Sequence, residues 1–199
     1  MHSTSTLATL ADIGINARYW YQHSHSNLAA WALRHGLELR EVAEVCALLS
    51  PGCTVDINAR MTREYFAAKA QGKVYKVRDS IYAKSTQAAL SHWMATGEIR
   101  GPKTSCFALN LRGDWQSVTL DRHMARVMGC GPDHARGDSW RPAGMVEATR
   151  RIAKAAARLN WLPCEVQAAL WQVGQAAVYG LTEVRYLRLF EPKQGEMQW

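Results

Sequence analysis

Apolar residues recur at helical spacing along most of the chain, and the alternating pattern of strands is nearly absent, which predicts an all-α fold. The spacing predicts a first helix over 16–32, where Trp20, Leu28 and Trp31 supply apolar contacts. A second runs over 39–49, with Val42, Val45, Cys46 and Leu49 in helical register and a stop at Ser50-Pro51-Gly52. A third starts near Asp56, carries Ile57, Met61, Tyr65 and Phe66, and ends at Gly72. Two more are expected over 80–95 and 103–111, followed by a turn at Gly113-Asp114 and a helix with Asp121 as its N-cap. From Gly129 to Gly144 the composition shifts to Gly, Pro, Asp and Arg, the pattern of a long loop. Residues 146–160 form an amphipathic helix with Ile152, Ala156 and Leu159 on one face and Arg151, Lys154 and Arg158 on another. Its successor starts at Pro163, a first-turn proline, and continues through Val166, Leu170 and Val173. The tail from Pro192 is expected to fray, and no internal repeat is visible.

Composition narrows the class. With 199 residues, 48% hydrophobic and 21% charged, the chain is globular, and no apolar run approaches the ~20 residues that cross a bilayer. The first fourteen residues lack a basic start and a continuous apolar stretch, so the expected location is the cytoplasm, with no membrane partner. Cys46, Cys53, Cys106, Cys130 and Cys164 are scattered without a CxxC pair, which argues against a disulfide framework and a thiolate metal site. Cys130 and His134 lack the further ligands a metal needs, so no metal is expected. The net charge of +7 attracts polyanions without saying which.

The informative segment is Gly101-Pro-Lys-Thr-Ser-Cys-Phe-Ala-Leu-Asn110, followed by Gly113-Asp-Trp-Gln-Ser-Val-Thr-Leu-Asp-Arg-His-Met-Ala-Arg-Val127. It resembles the helix-hairpin-helix DNA glycosylase superfamily, which includes endonuclease III. There a hairpin ends in Gly-x-Lys-Thr-Ala and a later helix opens with Val-Asp-Thr-His-hydrophobic-x-Arg-Val. Lys103 matches the lysine of the first motif, and Asp121, eighteen positions on, matches the aspartate of the second. Leu48-Leu-Ser50 with Thr54 and Asn58, and Tyr82-Ala-Lys84, extend the similarity over roughly 40–130. The chain departs from the pattern at the hairpin, Gly97-Glu-Ile-Arg-Gly101 in place of Leu-Pro-Gly-Val-Gly. It departs again at Pro51-Gly52-Cys53, where relatives often carry a stack-wedging glutamine, and it lacks the four-cysteine iron–sulfur motif.

The resemblance implies two helical lobes with an active-site cleft between them. The central lobe would cover 36–120 with its hairpin near 97–103, and the second would combine 1–35 with 121–199. It implies a DNA glycosylase that flips a modified or damaged base from double-stranded DNA and cleaves its N-glycosidic bond, as a monomer and without a cofactor. Flipping is needed because a base in a duplex hides that bond. As the bond breaks, positive charge develops on the sugar, and the Asp121 carboxylate would stabilise it or activate the nucleophile. Lys103 would attack C1′ and form a Schiff base, as in bifunctional members with AP-lyase activity, or leave the attack to water. Arg100, Gly101, Thr104, Arg136, Arg141, Arg151 and Lys154 are candidate DNA contacts, and Trp140 and His123 candidate base-pocket residues. The base is either a repair lesion or a hypermodified pyrimidine of phage DNA, which would make the protein a defence factor. The rival readings are a phage-type base-hypermodification transferase on the same scaffold and a DNA-binding module without catalysis.

Overall fold

The computed structural model describes residues 1–131, 133–136, 139–179 and 190, with the backbone alone for Arg136, Ser139, Val178 and Tyr179. The fold is all-α among these residues apart from one short antiparallel pair, β1 (Ala135–Arg136) and β2 (Ser139–Trp140), in the register Ala135 to Trp140. The chain divides into two compact units. The first is Met1–Tyr21 with Gly113–Tyr186, and the second is Gln22–Arg112 with Leu187–Trp199, of which Phe190 is the described residue. The expected lobes, 36–120 and 1–35 with 121–199, differ from these units at their edges. The division falls inside one continuous helix, α2 (Trp20–Arg34), and 113–120 join the first unit because Val118 and Leu120 enter its core.

The first unit opens with α1 (Thr4–Ile13), which the apolar pattern did not predict because Ala and Thr fill half of its positions. Ser3 starts it by accepting the Thr6 amide on its hydroxyl, at 3.2 Å. Leu7, Ala8 and Ala11 are buried against α8 (Pro142–Leu159) and α9 (Pro163–Tyr179). The short side chains permit close approach. A Cβ on Gly14 would stand 2.2 Å from the Ala169 carbonyl oxygen on α9, so only glycine lets the chain pass there. A 3₁₀ turn (Ile15–Ala17) follows, and Arg18 then locks onto buried Glu165 at 3.0 Å while lying over the Trp161 ring at 4.5 Å. α8 begins at Pro142, four residues earlier than its periodicity suggests, because a proline is as favourable at the first turn there as at Pro163.

In the second unit, α3 (Leu39–Leu49) is the central element, buried continuously from Val42 to Leu49 and packed on α4 (Val55–Ala70), α5 (Ala83–Thr96) and α6 (Pro102–Leu111). A helix apolar on nearly every side must be enclosed in this way. Its one buried charge, Glu44, accepts the Trp93 indole N–H at 2.8 Å and Arg40 Nε at 2.8 Å, with Arg112 at 3.9 Å. Trp31 packs against Phe66 and Phe190, with ring centroids 5.8 and 5.0 Å apart. The helices expected over 39–49, from Asp56 and over 103–111 appear within a residue or two of their expected starts.

Replacing Glu44 by Ala leaves the Trp93 N–H buried without an acceptor and should cost about 2 kcal/mol in urea unfolding. Arg40→Ala, at an exposed partner, should cost under about 1 kcal/mol. Equal losses for the two variants would show that the indole bond contributes nothing.

Candidate functional site

The approach to Asp121 is a built turn. Asp114 takes the Gln116 amide at 3.0 Å and the Ser117 hydroxyl at 2.7 Å, and the Ser117 bond holds its carboxyl below the usual carboxylate range. Val118 and Leu120 then bury themselves, which delivers Asp121 in an extended conformation to the start of α7 (Arg122–Val127). Its Oδ1 accepts the amides of His123 and Met124 at 2.9 and 3.0 Å, the bonding of an N-cap. Its Oδ2 accepts the Trp171 indole N–H from α9 at 3.0 Å, and its backbone carbonyl accepts the Trp140 indole from β2 at 3.1 Å. Four N–H groups from three elements thus fix one half-buried aspartate.

A chain of rings extends from Trp171. Trp171 meets His123 edge-on at 6.2 Å and Trp20 at 6.4 Å, and Trp20 meets Tyr21 at 5.0 Å. The buried Tyr21 hydroxyl donates to Gln167 Oε1 at 2.6 Å. Burial pushes its phenol far above the usual value, and Cys164 and Asp121 add to that shift against the lowering by hydrogen bonds with Thr119 and Gln167. Tyr21 therefore stays protonated, a hydrogen-bond donor and not a base, at any ordinary pH. α7 can lie this close to α9 because position 174 is glycine, where a Cβ would stand 2.9 Å from the His123 carbonyl oxygen.

Asp121, His123 and Trp140 are thus brought together in the first unit. Arg141 is exposed at the start of α8, and Lys154 is exposed further along it. Arg151, expected to reach phosphate, is engaged by Glu147 at 2.5 Å and by the carbonyls of Met1 and His2, so its guanidinium clamps the N-terminus to α8. Arg150 and Arg151 in turn hold the Glu147 carboxyl down to about 2. The side chain of Arg136 lies outside the described residues.

Lys103 belongs to the second unit. α5 ends on Gly97 in the left-handed conformation, φ 72°, and Gly101, φ 92°, leads into α6 without a side-chain cap, so a short hairpin joins two helices. Arg100 and Gly101 are exposed on it, and Lys103 and Thr104 are half-buried in the first turn of α6. The Lys103 charge acts on Cys53, whose thiol burial pushes up to about 11 against the lowering by that lysine. Burial likewise pushes Cys46 and Cys164 up to about 12, so none of these three is a thiolate nucleophile at neutral pH. A hollow of about 430 Å³ opens beside Ile81, Tyr82 and Lys84, and neither Lys103 nor Asp121 lines it. Among the described residues no group of three or more His, Cys, Asp or Glu is placed to hold a metal ion, and no helix is long and apolar enough to cross a membrane.

The sequence reading missed Trp171 as a partner of Asp121. The two lie fifty positions apart, and Trp171 reads as one more apolar residue of α9. Its one signal is that an indole N–H placed at a buried face needs an acceptor.

Trp171→Phe keeps the ring and removes the donor, and Asp121→Ala removes the cap. Each should lower stability by about 1 kcal/mol in thermal unfolding, and the double variant should lose less than the sum. Strict additivity would show that the indole bond is not coupled to the cap. Ser117→Ala should raise the Asp114 carboxyl towards its ordinary value by NMR titration. Because that value is depressed in the folded chain, the stability it brings is present above the unfolded value and lost as pH falls through the folded one.

No curated protein and no solved structure matches the chain. A family model does, that of a family of unknown function, DUF7178, which matches residues 6–177 and so takes in most of α1, the larger part of both units and the whole neighbourhood of Asp121. The chain belongs to this family.

Proposed function

We propose that the chain is a DNA glycosylase that takes a modified or damaged base out of duplex DNA and cleaves its N-glycosidic bond, with Asp121 as the carboxylate at the reacting sugar. The observation that carries this reading is the double fixation of Asp121. Capping α7 uses Oδ1, whereas Oδ2 is aimed separately by the Trp171 indole, a constraint that capping does not require. A carboxylate held in this way cannot swing aside as charge develops opposite it, and a preorganised group of this kind needs no reorganisation at the moment of reaction.

In this mechanism the C1′–N bond pair leaves with the base, which takes up a proton, and the sugar passes through a cationic state facing Asp121. Water then adds to C1′, with Asp121 accepting its proton, and an abasic site remains. In the bifunctional form Lys103 supplies the attacking amine and the resulting Schiff base leads to strand elimination. The glycine-bounded hairpin ahead of Lys103, with Arg100 exposed on it, suits contact with a DNA backbone in this scheme. The base itself is either a repair lesion or a hypermodified pyrimidine of phage DNA.

A second reading, a DNA-binding module without catalysis, is favoured by one observation: both Asp121 oxygens already have donors, so a structural role would account for them. Incubation with a panel of duplexes carrying different modified bases separates the readings. The enzyme should release a free base detectable by mass spectrometry and leave sites that break on heating in alkali. Asp121→Asn should bind DNA as the wild type does and lose about 10²–10⁴-fold in rate. Intact strands with an altered base mass would point to a base-modifying transferase, and intact unaltered DNA throughout to the binding module. Borohydride should trap a covalent adduct that Lys103→Ala abolishes. An active enzyme without an adduct uses water as its nucleophile.

A further inference from the structure

We propose that residues 73–78 of the second unit are a contact surface for the phosphate backbone of duplex DNA, with Lys73, Lys76 and Arg78 as the contacting cations. The inference rests on the DNA reading above and extends it to a segment that the resemblance did not single out. From Tyr75 to Arg78 the segment alternates, with Tyr75 half-buried and Val77 buried while Lys76 and Arg78 are exposed; Lys73, ahead of that alternation, is exposed as well. Inward side chains at every second position fix which way the others face.

The segment is also anchored. The Val77 amide donates to Gln87 Oε1 on α5 at 2.8 Å, and the Tyr75 ring meets Tyr65 on α4 at 5.9 Å. The cations therefore stand on a held backbone, and little order has to be gained on binding.

The distribution of charge within the unit supports an anionic partner. The nearby carboxylates are Glu64 and Asp79, and Arg60 pairs with both, at 3.5 and 3.1 Å. Glu41 takes Lys69. Lys73 donates to the neutral Gln71 Oε1, at 2.7 Å, and among the described residues Lys73, Lys76 and Arg78 have no carboxylate partner. These three cations border a hollow of about 330 Å³ together with Glu64, with Val74, 83% exposed, on its rim. Arg60 is shared by two carboxylates, so Arg60, Lys73, Lys76 and Arg78 leave an excess of two cations here, and cations in excess gain from a polyanion because each phosphate contact releases condensed counterions.

The segment is tied to the turn that follows α3. The Ser80 hydroxyl donates to the Pro51 carbonyl at 2.6 Å and the Ile81 amide to the Gly52 carbonyl at 3.2 Å, and the next residue, Cys53, feels the Lys103 charge. One packed run thus connects the segment to the turn beside Lys103.

The test is the anisotropy of a labelled short duplex titrated with wild type and with Lys73→Ser/Lys76→Ser/Arg78→Ser over a salt series. The variant should bind at least about tenfold more weakly at low salt, and its plot of log affinity against log salt should be shallower by about 3. The charge-keeping variant Lys73→Arg/Lys76→Arg/Arg78→Lys should retain both values, with circular dichroism confirming that each variant folds. Unchanged affinity and slope in the serine variant overturn the proposal and leave the glycosylase reading standing. Equal loss in the charge-keeping variant overturns it as well. Wild type that ignores duplex DNA, or prefers phosphatidylserine vesicles, overturns it together with the DNA reading. A full slope change in a protein that releases no base supports the surface and removes only the catalytic reading.

Discussion

The first unit is organised around how closely other backbones can approach α9. At Gly14 the chain passes over the Ala169 carbonyl at a distance that excludes any side chain, and at Gly174 the helix itself gives up a side chain so that the His123 carbonyl can lie against it. Ala8, Ala11, Ala148, Ala155 and Ala156 carry the same economy of volume through α1 and α8. Close packing of this kind transmits position rigidly, because no flexible side chain lies between the backbones to absorb an error. The Trp171 indole meets the Asp121 carboxylate only because α7 and α9 are held at that separation. The geometry of the candidate site therefore depends on glycines and alanines that carry none of its chemistry.

This also explains what could be read in advance. Helices whose burial relies on large side chains, such as α3 with Val42, Val45 and Leu49 or α9 with Val166 and Leu170, advertise their period and were expected. α1 buries Ala8 and Ala11 beside one leucine, a signal too faint for periodicity, although Ser3 at its start and Gly14 at its end mark a helix to anyone weighing caps. The division of the chain inside α2 was not legible because an unbroken helix gives no local sign of where one core ends and another begins.

The site was legible to the same uneven degree. Asp121 before a helix is a local feature that the order of residues displays, whereas Lys103 was singled out by the resemblance of its motif. Trp140 was expected near the chemistry and sits on the Asp121 carbonyl, yet it is the backbone, not a base, that its N–H contacts. Arg151 was expected to face solvent and phosphate. Glu147, four positions before it, was a visible competitor, but the carbonyls of Met1 and His2 were not, since only folding brings the N-terminus to α8.

The pairing of indoles with Asp121 has a consequence beyond its positioning role. Two of the eight tryptophans of the chain donate to the same residue, one to its carboxylate and one to its carbonyl. Indole emission responds to charge and to hydrogen bonding at the ring nitrogen, so any ligand, proton or substitution that disturbs this aspartate alters the ultraviolet fluorescence of the protein. The molecule carries its own optical probe at the point of interest, and occupancy can be followed without attaching a dye.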